Sequence, residues 1–303
     1  MDEDGGIRDR CGREVGVSLE RALLFLYAET PVHAGADTGL GVVDLPIQRD
    51  VATKLPIIKG ESLKGALRQQ LRDAAGSDWE RIFGSKPPRD GGETRPGSLR
   101  VHEAQLVAFP APTIKDVFVW VTSPLAQARL ARKAALAGLG LPPYEPVSWP
   151  RTLSASGAET DLVVGPYQVA TEDSQRLRQW AEELARCALP EEPFFQEKFG
   201  RDLLCGDEHL LVGISRECAP VVARVQLGKP DAEGERTKTV AHGPFYSEYL
   251  PSETLMAALV EGTRRDIDVV ATLDKAVLQV GGDETIGKGL MWCRIWRSDA
   301  PAR

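Results

Sequence analysis

Large apolar residues crowd the stretch 19–29, and their spacing predicts a core strand. The next 20 or so residues carry Pro31, Gly35, Gly39, Gly41 and Pro46, so neither a regular helix nor a central strand fits there. Structureless loops of that length are uncommon and are often functional. Pro56, Ile57 and Ile58 read as a short extended piece. Leu63, Leu67 and Leu71 then repeat at helical spacing, with Ser62 as the expected N-cap. Further helices are expected over 78–85, 123–140 and 174–188, the second ended by Gly138 or Gly140 and the third by Pro190. Strands are expected over 98–109, 116–122, 208–215 and 219–227. Residues 141–170 read as Pro-rich and then extended, and 228–250 as a polar turn with a returning strand, giving a long β-hairpin. Residues 253–262 suit strand or helix equally, and 275–296 read as two strands around a glycine-rich loop. The irregular alternation of strands and helices predicts an α+β fold with a partly antiparallel sheet.

Composition narrows this picture. Apolar residues make up 42% and charged residues 27%, a globular balance, while 29 Gly and 21 Pro point to many turns. No apolar run reaches the roughly 18 residues that span a bilayer. Residues 1–18 are charged, without the apolar stretch of a secretory signal, and read as a disordered tail. Five cysteines with no CxxC pair suit neither a zinc knuckle nor a disulfide framework, and fit a reducing cytoplasm. The net charge of −7 disfavours a general nucleic-acid binder, though RNA senses only the patch it touches.

The candidate chemistry lies in four places. His33 and Asp44 share the long first loop and suit general acid–base work, although a surface histidine and a turn aspartate have the same pattern. Lys59 and Lys64 stand at a helix N-terminus, where free N–H groups already attract anions. The loop 281–289 combines glycines, which permit close approach of a phosphate, with Lys288, but it is neither a Walker A loop nor a dinucleotide fingerprint. Phe245, Tyr246 and Tyr249 neighbour Arg236 and Lys238 and suit either base stacking or sheet packing.

Three stretches together carry a resemblance. The first runs from Thr30-Pro31 through His33 and Gly35 to residues 41–49 (GVVDLPIQR) and 56–68 (PIIKGESLKGALR). The second joins Lys238-Thr239-Val240 to the segment 246–255 (YSEYLPSETL), and the third is 278–289 (LQVGGDETIGKG). In this order, with Ile82-Phe83-Gly84-Ser85 between the first two, they resemble the RAMP superfamily of CRISPR proteins, and the 42–49 segment (VVDLPIQR) looks like the backbone subunit of the type III-B (Cmr) effector complex.

The resemblance implies an RRM-like (ferredoxin-like) palm with helical insertions, a single RAMP domain over 19–300, and a thumb hairpin near 222–250. It implies a cytoplasmic filament of copies of the chain, joined by other Cmr subunits, along a CRISPR RNA, with cleavage of single-stranded target RNA at regular intervals. The implied catalytic set is Asp44, His33, Glu248 and Tyr249, with Asp44 also touching a weakly bound Mg2+ or Mn2+. The implied RNA contacts are Arg49, Lys59, Ser62, Lys64, Arg68, Lys238, Gly281, Gly282, Gly287 and Lys288. One departure is Ser247, where the family commonly carries a further acid. A backbone subunit without cleavage, or a CRISPR RNA-processing ribonuclease, are the competing expectations.

Overall fold

The apolar run near the N-terminus forms strand β1 (Glu20–Ala28), and every side chain from Ala22 to Ala28 is buried. The strand lacks an alternating polar face because both of its faces are covered. Ala22, Leu24, Leu26 and Ala28 enter one core, while Leu23, Phe25 and Tyr27 enter another. The computed structural model describes residues 19–36, 43–86, 93–144, 146–147, 151–157, 160–227 and 240–298. After β1 come β2 (Ile57–Ile58), α1 (Gly60–Gln70), α2 (Arg72–Ala75), α3 (Trp79–Phe83), β3 (Arg100–Val101), β4 (Ala104–Thr113), β5 (Val117–Thr122) and α4 (Pro124–Leu136). The middle of the chain holds β6 (Thr152–Ser154), β7 (Thr160–Val164), β8 (Tyr167–Asp173), α5 (Gln175–Ala188), α6 (Pro193–Asp202), β9 (Leu203–Cys205) and α7 (Glu208–Glu217). The last part holds β10 (Val221–Leu227), β11 (Val240–Glu248), β12 (Leu255–Gly262), α8 (Arg264–Ala271), β13 (Val277–Gln279) and β14 (Leu290–Arg297).

The fold is α+β, as the pattern predicts. Among the described residues the large sheet runs β13-β14-β1-β12-β4-β5-β9-β6-β8-β7, and β7 touches β4 again through Thr113 and Val164. Buried residues of α1, α3, α7 and α8 fill one core, and those of α5 and α6 with Leu130 and Ala134 of α4 fill the other. The β10–β11 hairpin lies outside this sheet as a separate two-stranded ladder.

Local signals placed several elements well. Ser123 and Ser174 cap α4 and α5 by accepting from Ala126 N and Leu177 N. Gly138, with φ +70°, turns the chain after α4. Other expectations fail for physical reasons. Residues 208–215 form helix α7, not a strand. Asp207 caps the helix by accepting from Leu210 N at 2.9 Å, and Leu210, Leu211 and Ile214 face the core. A short apolar run cannot by itself distinguish the two structures. The strand expected over 98–109 is broken at His102 and Glu103, where β3 and β4 pair with different parts of β12. Ser62 is not the cap of α1; Lys59 holds that position without a side-chain cap, and Ser62 sits exposed in the first turn. The stretch 253–262, open between helix and strand, contains β12 (Leu255–Gly262), in which every residue is buried. Helices α6 and α8 were not expected, although Glu192 before Pro193 and the Thr263–Asp266 capping box mark their starts.

Candidate active site

Strand β11 pairs with β10 on one side, and its other side is an open edge. Unpaired edge groups must find partners. The first loop supplies them in sequence. Tyr246 N donates to Asp44 Oδ2 at 2.7 Å, and Leu45 N donates to Tyr246 O at 3.0 Å. Glu248 N donates to Leu45 O at 2.9 Å, and the Glu248 carbonyl lies 2.8 Å from His33 Nδ1. Leu45 thereby bridges Ser247 in parallel register. Asp44 and His33 are thus held on one strand edge at sites two residues apart, roughly 7 Å along an extended chain. The carbonyl can only accept, so Nδ1 of His33 donates to it, which leaves Nε2 for another partner. Gly35 leaves Nε2 uncovered, since a Cβ there would stand 2.7 Å from it.

The Glu248 side chain turns away from this edge to fasten the loop. Oε2 accepts from Ile47 N at 3.0 Å and Oε1 from Arg49 Nη2 at 2.5 Å. Arg49 also donates to the Ser215 carbonyl and hydroxyl and to Lys54 O. The side chains of this pair are 16% and 10% exposed, so both charges depend on each other and on these hydrogen bonds. Arg49, expected on phosphate, and Glu248, expected in catalysis, are joined to each other here. Ser247 is fully buried.

Tyr249 follows β11, its ring tilted against His33 with centroids 5.5 Å apart. Its hydroxyl donates to Asp283 Oδ2 at 2.9 Å, and Lys288 Nζ lies 5.4 Å from its ring centroid. Burial, then the Asp283 contact, pushes the Tyr249 phenol up, so it is a neutral donor at physiological pH. Gly281 and Gly282 bring the glycine-rich loop onto the backbone of His33, with Gly282 N donating to His33 O at 3.1 Å. Gly287 has φ +75° and is exposed. Asp283 and its partner Arg224 were not singled out from the sequence. Asp283 lay in plain view inside the glycine-rich loop, but no local pattern marks Arg224.

The α1 cations sit elsewhere. Lys64 Nζ donates to Leu99 O at 2.7 Å, and burial, then the Arg68 charge, lowers its pKa. Arg68 donates to Gly84 O and lies 4.3 Å over the Trp79 ring. Lys59 occupies the N-cap position of the helix. Lys238 and Arg236, like the 1–18 tail, lie outside the described residues.

The donors among the described residues do not form a metal centre. Among the described residues no group of three His, Cys, Asp or Glu side chains could hold an ion. Glu248 and Asp283 are engaged by arginines, which leaves Asp44 as a lone carboxylate with one oxygen already on Tyr246 N.

Comparison with known proteins fits this architecture. The family model of the RAMP superfamily matches residues 25–292, and the chain belongs to that superfamily. It is 33% identical over 290 residues, covering 90% of this chain and 95% of the relative, to the CRISPR system Cmr endoribonuclease Cmr4 of Pyrococcus furiosus. Among solved structures it resembles oligomeric Cmr4 from Pyrococcus furiosus, with a TM-score of 0.71 and 23% identity over 93% of this chain and 100% of that one. It also resembles a chain of the type III-B Cmr-beta complex bound to cognate target RNA, with a TM-score of 0.69 and 18% identity over 91% and 96% of the two chains.

Proposed function

We propose that this protein is the repeated backbone subunit of a type III-B CRISPR effector complex. It binds the CRISPR RNA, assembles with copies of itself and other Cmr subunits, and cleaves complementary target RNA at regular intervals in the cytoplasm. In this reading residues 19–300 are one RAMP unit, the large sheet belongs to an RRM-like palm and β10–β11 is the thumb. The observation that carries the cleavage assignment is Asp44. It is an exposed carboxylate at the hairpin root, aimed by one hydrogen bond from the backbone and paired with no cation among the described residues.

The chemistry that suits this geometry is attack by a ribose 2′-OH on its neighbouring phosphate. Asp44 takes the hydroxyl proton as the 2′-O–P bond forms. The P–O5′ bond breaks, and His33 Nε2, when protonated, supplies a proton to the departing 5′-oxygen. The products are a 2′,3′-cyclic phosphate and a 5′-hydroxyl end. The Tyr249 hydroxyl spends its hydrogen bond on Asp283, so its role is orientation of the His33 ring. Glu248 and Arg49 hold the loop. Dependence on Mg2+ or Mn2+ belongs to the proposal as a cation bound chiefly by RNA phosphates. The RNA contacts are Lys59, Ser62, Lys64 and Arg68 on α1, with Lys238, Lys288 and the glycines of its loop.

The buried Ser247, together with the capture of Glu248 by Arg49, favours a second reading, a backbone subunit that binds RNA without cutting it. A reconstituted complex with guide and labelled target separates the two. Cuts are expected at a constant interval counted from the guide's end, unchanged when guide and target sequences are altered together. A guide shortened by one subunit's footprint loses one cut. No cutting supports the structural reading, and cuts that follow particular bases point to a processing ribonuclease.

A further inference from the structure

The two strands of the hairpin are anchored by different means. A two-stranded ribbon is marginal on its own, and Val221, Val222 and Val225 of β10 are exposed, so the root needs outside support. On the β11 side the first loop provides it along the strand's main chain, through the Leu45 backbone and the side chains of Asp44 and His33. On the β10 side the support is a side chain. Arg224 Nη1 donates to Asp283 Oδ1 at 2.5 Å, and its guanidinium carbon lies 5.8 Å from the centroid of Phe245, its register partner on β11. The other oxygen of Asp283 accepts from the Tyr249 hydroxyl at 2.9 Å.

Asp283 itself is held firmly. It has φ +67°, a left-handed conformation that Asp and Asn adopt more readily than most residues. Just before it, Gly281 lies so close to the His33 backbone that a Cβ would come within 2.3 Å of the carbonyl oxygen. Gly289 N donates to Pro31 O at 2.9 Å. The glycine-rich loop is therefore fastened to the segment that carries His33, and Asp283 reaches from it to the hairpin. Burial alone raises the Asp283 carboxyl, but the hydrogen bonds from Arg224 and Tyr249 outweigh it and hold the group below its ordinary value.

We propose that Asp283 is a positioning residue for cleavage. It latches the hairpin root, through Arg224, to the glycine-rich loop and fixes the Tyr249 ring beside His33. This rests on the reading of the hairpin root as the cutting site. Without the latch Arg224 loses its counter-ion and the Tyr249 hydroxyl its acceptor, and the root can pivot about the β11 edge. The RNA stays bound through the rest of the filament, while the nucleotide to be cut loses its alignment with Asp44.

The test uses the assembled complex with its guide. Asp283→Ala is expected to slow single-turnover cleavage at saturating target by roughly 10–100-fold, the scale of a small misplacement of reacting groups. Target affinity is expected to change by less than about threefold, the signature of lost alignment rather than lost binding. Amide exchange in 221–225 and 243–248 is expected to quicken. Arg224→Ala is expected to reproduce the loss, and the double variant to be no slower than either single one, since both remove one interaction. Asp283→Asn keeps the left-handed backbone and an acceptor for Tyr249, and is expected to regain part of the rate. It also carries the test, with Arg224→Ala, if Asp283→Ala fails to assemble. Unchanged cleavage in Asp283→Ala, or losses that multiply in the double variant, overturn the latch. So does a rate loss matched by the loss of affinity. Asp44→Ala separates the two readings: if it cuts normally the site assignment fails, and if it is inactive while Asp283→Ala is fully active the latch alone fails.

Discussion

The loop ahead of β2 and the helix just after it both carry groups that suit RNA, yet they are held in opposite ways. Helix α1 satisfies its own backbone, so Lys64 and Arg68 need only modest restraint. One hydrogen bond to Leu99 O and one to Gly84 O, with the Trp79 ring beneath Arg68, orient them and leave further N–H groups for phosphate. The loop has no regular structure, and its backbone is completed by the edge of a strand about 200 residues away in sequence. Its side chains therefore divide sharply. Asp44 is exposed and spent on little, while the half-buried Arg49 and the buried Glu248 are spent on tying the loop to β11 and α7. Changes in the helix should grade affinity; changes in the loop should remove either the chemistry or the fold around it.

The largest effect is expected at Asp44. Asp44→Ala should cut the single-turnover rate by at least about 100-fold, the lower range for loss of a general base, with assembly and guide binding intact. Full cleavage by this variant breaks the comparison at its centre. Next comes Glu248→Ala, which strands the half-buried Arg49 guanidinium. Stability in urea should fall by about 3 kcal/mol, as for other buried pairs that lose one partner, and by less in Glu248→Gln. Normal stability with lost cleavage would move Glu248 from the scaffold into the chemistry beside Asp44.

On the helix, Lys64→Glu should weaken guide RNA binding by about tenfold, and the slope of log affinity against log salt should shrink by about one unit per lost phosphate contact. An unchanged affinity and slope would make Lys64 a strut for Leu99 and nothing more. The smallest effect concerns a helical cation on α4, held against Gln105. Burial, then the Arg129 charge, lowers Lys133 on α4 to about 8 from its ordinary 10.5. The folded state thus disfavours the charged amine. The resulting cost to stability is complete below the folded value and is relieved as pH rises from about 8 towards 10.5. Wild type should gain stability relative to Lys133→Met across that window in parallel urea titrations. A constant difference would show that Lys133 is solvated.

Much of the scaffold is legible locally. Serines followed by helical spacing set the starts of α4 and α5, and a continuous apolar run gives β1. The resemblance picks out Asp44, His33, Glu248 and Tyr249, and the structure brings all four to the edge or end of β11. It also reveals what no spacing announces. Asp283 is as visible in the sequence as its neighbouring glycines, but its partner Arg224 stands 59 positions away.

Elements whose causes are local can be read along the chain: caps, turn glycines, and apolar runs long enough to have a period. Tertiary structure alone decided that 208–215 would be a helix, that 98–109 would break where β12 changes partner, and that 255–262 would be a strand buried on both faces. It also decided the fate of the functional side chains. Arg49 and Glu248 are 199 positions apart, and Glu248 takes Arg49 as its cation because the loop must complete the open edge of β11. Satisfying a strand edge and neutralising a buried charge depend on which distant segments meet, and chain-local propensities do not contain that information.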